Sequence, residues 1–208
     1  MCQLEADKLP IMPRQPLNFA VCKRNALGKL DKSPKGSLDA PIARLVHAIN
    51  EHADFVTTSS CSGRVVLFAS PDEGSVGSGR WLLCEHSTVT HSQVHAALHE
   101  WMETIGEARA GTTVLLKHEP AILHVQCRDL PAAQSLLQAA LRAHFRESGL
   151  VLSTSSKVML AVRTTANCLE LPVFAHGELL LPDSSLRAMV DHANAKYAAN
   201  VARIDRLE

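Results

Sequence analysis

Residues 57–68 read TTSSCSGRVVLF, so Thr57, Thr58, Ser59, Ser60, Cys61 and Ser62 run into Gly63 and Arg64 just before an apolar, strand-like stretch. On a turn between two strands, hydroxyls and backbone N–H groups can cradle a carboxylate, a phosphate or the polar edges of a nucleoside. Gly63 would let a ligand approach the main chain closely, and Arg64 can grip an anion through two parallel hydrogen bonds. A serine-rich hairpin turn without a binding role fits the composition equally well. A nucleophilic role for Cys61 would need a base or a cation beside the thiol.

A second segment, LKHEPAILHVQCRDL, breaks an apolar strand pattern with Lys117, Glu119, His124 and Arg128. Together these offer an acid, a base and two cations at one sheet edge, with His124 as the natural proton acceptor near neutral pH. A histidine bonded to backbone at the flank of a core is the structural alternative. In AVRTT, Arg163 precedes the hydroxyls of Thr164 and Thr165, and a surface ion pair is the plain reading of that arginine. His91, His95 and His99 recur every four residues. Their direction drifts from the apolar flank of the helix toward solvent, so no metal is expected. The chain has neither a G-x-G-x-x-G nor a G-x-x-x-x-G-K-[ST] segment, which leaves a Rossmann dinucleotide site and a P-loop unsupported.

The elements that must position these groups follow from capping and periodicity. Asp39 with Pro41 opens a helix carrying Ile42, Leu45, Val46 and Ile49 on one face. Thr90 and Gln93 form a capping box for a second helix faced by Val94, Leu98 and Trp101. Asp129 and Pro131 start a third, and Asp183 is expected to cap a long last helix with Leu186, Val190, Tyr197 and Ile204 along one stripe. Short β-type runs lie between them, and Pro120 should mark an edge, bend or bulge. The expected fold is α+β: a flexible arm over 1–16 and one domain over 17–208, with a mixed or antiparallel sheet packed by about four helices.

At 208 residues and 46% hydrophobic, the chain can bury a full core. Lys plus Arg number 21 and Asp plus Glu number 21, so no global field draws nucleic acid or anionic lipid. The first 35 residues lean basic and are the one stretch whose charge favours a phosphate backbone. No apolar run is long enough for a membrane helix, the start lacks the order of a secretory signal, and the six cysteines form no C-x-x-C pair. These features predict a soluble cytoplasmic protein with no membrane partner.

Taken in order, DKSPKGSLD, TTSSCSGRVVLF, GRWLLCEH, LKHEPAILHVQCRDL, AHFRESGLVLS, KVMLAVRTT, LELPV and ANAKYAANVARIDRL resemble the tRNA wybutosine-synthesizing protein 3 family over nearly all the chain from about Phe19. The resemblance implies a methyltransferase without the Rossmann fold, using S-adenosyl-L-methionine as cofactor. Its implied partner is the anticodon loop of tRNA(Phe), and its product is the N4-methylated form of the 7-aminocarboxypropyl-demethylwyosine intermediate. It makes Ser59, Ser60, Cys61, Ser62, Gly63, Arg64, Arg163 and Thr164 candidates for the cofactor. Lys35, Trp81, His86, Lys117 and Arg128 become candidates for tRNA, and Asp31, Glu119 or His124 for the proton acceptor. Ser33, Gly36, Pro120, Ser148, Gly149, Glu170, Pro172, Asn194 and Asn200 also match, without an assigned role.

The sequence departs from the family pattern at His118 and Ala121, where an aromatic and a bulkier residue are usual, and at Asn167 and Cys168, where a histidine and a glycine are expected. Two other readings compete with methyl transfer. One is a noncatalytic tRNA-binding subunit that uses the basic arm, and the other a small hydrolase with Cys61 as nucleophile.

Overall fold

The computed structural model describes residues 18–28, 36–71, 79–106, 111–152 and 157–208. The 1–16 arm, Asp31, Ser33 and Lys35 therefore lie outside the described residues. Helices α1 (Phe19–Leu27) and α2 (Ala40–Glu51) precede strands β1 (Phe55–Cys61), β2 (Arg64–Pro71) and β3 (Arg80–Glu85), then α3 (His91–Ile105). Strands β4 (Thr112–Glu119) and β5 (Ile122–Cys127) lead into α4 (Leu130–Arg142). The chain closes with β6 (Gly149–Leu152), β7 (Val158–Arg163), β8 (Leu169–Ala175), β9 (Glu178–Leu179) and α5 (Asp183–Leu207). None of the described helices is long and apolar enough to cross a membrane.

The strands form two antiparallel sheets, ordered β1-β5-β7-β6 and β3-β2-β4-β8-β9. This is the α+β architecture read from the sequence, and it is unlike the doubly wound parallel sheet of a Rossmann enzyme. Each sheet has its own core. Leu123, Val125, Leu160 and Val162 of the first pack under α2 and α4 with Ile42, Leu45, Ala133 and Leu136. Val65, Leu67, Val114, Leu116 and Phe174 of the second pack under α3 and α5 with Leu98, Trp101, Leu186 and Val190. Helix α5 serves both, with Tyr197 in the second core and Ile204 in the first. At 25 residues it runs about 37 Å, long enough to span two sheets.

Two strand-to-strand connections change sheet at one place. Strand β1 passes into β2 through Ser62 and Gly63, while β4 passes into β5 through Pro120 and Ala121. The backbone groups at these crossovers leave the ladders inside the protein and need other partners. Buried Asn200 supplies two, its Oδ1 accepting from Ala121 N at 2.8 Å and its Nδ2 donating to Ser62 O at 2.7 Å. Gly63 fits because its φ is +87° and a Cβ there would sit 2.8 Å from Asn200 Nδ2 and 2.9 Å from Glu119 O.

Two local expectations change, and one helix is added. The hydroxyl-rich stretch is not a turn: Thr57 to Cys61 belong to β1, because pairing with β5 from Phe55↔Cys127 to Cys61↔Ile122 extends the strand, with a bulge between Thr57 and Ser59. Asp183 does not cap α5. Pro182 holds that position, and the Asp183 carboxylate pairs instead with His91 Nε2 at 2.8 Å. Short helix α1 has no apolar stripe to announce it; Asn18 caps it, and Phe19 is its one buried residue.

Replacing Asn200 by Ala leaves the Ala121 N–H and the Ser62 carbonyl buried without partners, at about 1–3 kcal/mol each. The expected result is a drop in melting temperature of at least about 4 °C for a chain of this size, measured by thermal denaturation. An unchanged melting temperature would show that the crossover does not depend on this amide.

Candidate functional site

Beside the crossover, register places Arg64 of β2 directly opposite Glu119 of β4. The two bond, Arg64 Nε to Glu119 Oε2, at 2.7 Å, and the guanidinium lies 4.5 Å from the centre of the Trp81 ring. Trp81 packs in turn on Phe68 at 4.7 Å while remaining 45% exposed. Burial works against the charge of Arg64, but the bond and charge of Glu119 outweigh it and hold the pKa above its ordinary value. A flat cation fixed by a carboxylate and an indole face keeps its outer edge available to an anion. On the same face of β4, two residues before Glu119, Lys117 pairs with Glu170 of β8 at 2.8 Å.

The other flank of the crossover gathers Asp39, Cys61 and His86. Asp39 stands at the N-cap position of α2 but makes no side-chain cap bond; its Oδ2 accepts from Ser62 N at 3.0 Å instead. His86 Nε2 lies 3.6 Å from that same oxygen, and the Tyr197 hydroxyl donates to His86 O at 2.7 Å. Potential ligand atoms of Asp39, Cys61 and His86 lie within 4.8 Å of one another. Burial pushes the Cys61 thiol up, and Asp39 and Glu119 add to this against the Gly63 amide and Arg64. A thiol kept protonated is a poor nucleophile, which weighs against the hydrolase reading even with the His86 ring within 4.8 Å.

On the first sheet, Ser59 and His124 are paired in register and bond side chain to side chain, Oγ to Nδ1, at 2.9 Å. Arg163 lies opposite Ile122 on β7, in the same row as Cys61. Its Nε donates to Glu147 O at 3.1 Å and its backbone N to Ser148 Oγ at 3.1 Å. Thr164 is buried and accepts from Ala166 N at 3.2 Å. Hydrogen bonds from the Thr164 side chain and the Thr165 backbone hold the Glu147 carboxyl below its usual range.

The fold therefore brings Cys61, Ser62, Gly63, Arg64, Trp81, His86 and Glu119 to one crossover, with Ser59 and His124 further along β1 and β5. Arg128 does not join them. It follows the far end of β5, pairs with Asp54 and Asp129, and lines a cavity of about 680 Å³ beneath α1 with Phe19, Lys23 and Arg24. The sequence alone marks Asp39 only as a helix cap and Asn200 only as a matching position without a role. Neither has a local signal, because their partners are distant in the chain.

A family model described as methyltransferase TYW3 matches residues 21–208. The chain belongs to that family. Among its relatives, the tRNA wybutosine-synthesizing protein 3 homolog of Mus musculus is 38% identical over 191 residues, covering 90% of this chain and 70% of the mouse protein. The homolog of Homo sapiens is 37% identical over 194 residues, with 90% and 70% covered. The fold is shared with the PH1069 protein of Pyrococcus horikoshii, at TM-score 0.79 and 28% identity over 91% of this chain and 94% of that one. A hypothetical protein from Aeropyrum pernix superposes at TM-score 0.66 with 25% identity, covering 81% and 94%.

Two departures from the TYW3 pattern meet beneath this site. His118, 1% exposed, shares a 2.7 Å hydrogen bond between its Nδ1 and the Asn167 carbonyl, and its ring meets Tyr197 edge-on at 6.1 Å. Burial lowers its pKa, ahead of the opposing effects of the Asn167 carbonyl and Glu119. The unfolded chain therefore takes up the proton first as pH falls. Stability is full above the unfolded histidine value of about 6.5 and declines as pH drops from there toward the folded value. Urea midpoints at pH about 7.5 and about 5.5 should differ less in a His118→Gln variant than in the parent; an equal difference would assign the acid loss to other groups.

Proposed function

We propose that this chain is an S-adenosylmethionine-dependent tRNA methyltransferase that methylates N4 of the 7-aminocarboxypropyl-demethylwyosine intermediate beside the anticodon of tRNA(Phe), in the cytoplasm. The match of the methyltransferase TYW3 model to residues 21–208 carries the reading, and the names of the mouse and human relatives support its place in wybutosine synthesis.

S-adenosylmethionine supplies an electrophilic methyl group on a cationic sulfur. The donor set at the crossover suits such a ligand: Arg64, oriented by Glu119 and Trp81, offers its outer edge to the amino-acid carboxylate. Trp81, partly exposed, offers an aromatic surface on which a base can stack. Glu119 is committed to Arg64 and acts as its positioning partner. His124 is the better proton acceptor, because Ser59 fixes the ring through Nδ1 and leaves Nε2 to take the proton shed by the ring nitrogen. Ser62 and Gly63 form the crossover next to Arg64, and Arg163 stands opposite Ile122 on the first sheet with Thr164 after it. Lys117 and Arg128 reach tRNA phosphates only by exchanging their present carboxylate partners.

The test is transfer of labelled methyl from S-adenosylmethionine to tRNA(Phe) carrying the demethylated intermediate, with isothermal titration of the methyl donor alongside. Arg64→Ala should lower kcat/KM at least about 100-fold, and Arg64→Lys should restore little of it because one ammonium cannot replace the planar fork. His124→Gln should lower kcat by about 100-fold or more while leaving donor affinity near that of the parent. Tight tRNA binding without donor affinity or transfer would overturn the reading in favour of a noncatalytic tRNA-binding subunit.

A further inference from the structure

We infer that Asp39, Cys61 and His86 form a three-ligand site for a zinc ion, with the fourth position open. The three come from the start of α2, the end of β1 and the segment after β3, so the site exists only once both sheets are assembled. One thiolate, one imidazole and one carboxylate are a set that suits zinc; magnesium and calcium take oxygen ligands and do not use a thiolate. Zinc–nitrogen and zinc–oxygen bonds of about 2.0–2.2 Å at a tetrahedral angle place the two ligand atoms about 3.4 Å apart. His86 Nε2 and Asp39 Oδ2 stand 3.6 Å apart, and the Cys61 sulfur lies within 4.8 Å of its two partners. Small side-chain rotations close that difference.

The surroundings hold these ligands as a metal site requires. Ser62 N donates to the Asp39 carboxylate, and the Tyr197 hydroxyl fixes the backbone of His86. Such outer partners orient ligands before the ion arrives. A thiolate and a carboxylate also balance the two charges of zinc, so the bound site is neutral. The His86 side chain is 27% exposed, which gives the ion a way in and leaves room for a water or another ligand in the fourth position. The site does not depend on methyl transfer, and zinc bound there ties the start of α2 to the crossover.

Cobalt(II) replaces zinc in such sites and reports its ligands in absorption. Titrating the purified, reduced full chain with cobalt(II) should give the intense visible bands of a tetrahedral ion together with a near-ultraviolet thiolate-to-cobalt band, saturating at one ion per chain and reversed by zinc. Cys61→Ser, which keeps the shape of the side chain, should remove the thiolate band, and His86→Gln should weaken binding at least about 10-fold; circular dichroism confirms that both variants are folded. Three results would overturn the inference. No stoichiometric uptake would leave His86 and Asp39 as a simple ion pair. A thiolate band that survives Cys61→Ser would place the ion on another cysteine, and visible bands without a thiolate band would place it on the histidine row of α3.

Discussion

The carboxamide of Asn200 sits where two strand-to-strand connections pass from one sheet to the other, and the surrounding structure depends on what it bonds. At that crossover the ladders break, and backbone groups that water cannot reach would be left unpaired. One carboxamide both accepts and donates, so a single side chain from α5 closes the gap on β4–β5 and on β1–β2 together. Asp39 completes the arrangement by accepting the Ser62 amide from the opposite side. An aspartate or a leucine at 200 could not do both tasks, which is why an amide interrupts the apolar stripe of the last helix.

The chemistry gathers at the crossover for the same reason. Strands that change sheet diverge beyond the junction, and side chains at their ends point into the space between rather than into a neighbour's ladder. Arg64 and Glu119 face one another across the last rung, and the start of β3 brings Trp81 over the guanidinium. A lysine would supply the charge but neither the flat face for the indole nor the second edge for an anion. The cation is thus oriented before any ligand binds, which lowers the ordering cost of recognition.

Two of the four positions read from the sequence as departures from the family pattern, His118 and Asn167, are in contact. His118 meets Tyr197 edge-on. Its polar edge finds the carbonyl of Asn167, itself a departure. The buried Ala121, the third, offers its amide to Asn200, a contact that needs no particular side chain. The substitutions thus alter the underside of β4 while the arginine, carboxylate and indole above it keep their places.

Much of this was legible in the chain. Apolar spacing and capping residues mark four helices, since the 3.6-residue period and the N-cap bond act within a few residues of each other. Absence of a glycine-rich phosphate loop left a Rossmann dinucleotide site unsupported for an equally local reason. The hydroxyl-rich stretch stands out in the sequence but reads there as a turn, because Ser and Thr favour turns in isolation and only pairing with β5 makes them a strand. What local signals could not supply was which distant groups meet. Arg64 facing Glu119, His86 beside Asp39 and Cys61, and Asn200 under the crossover are set by strand register and by the reach of α5. Those depend on how the two sheets pack, and no spacing along the chain encodes them.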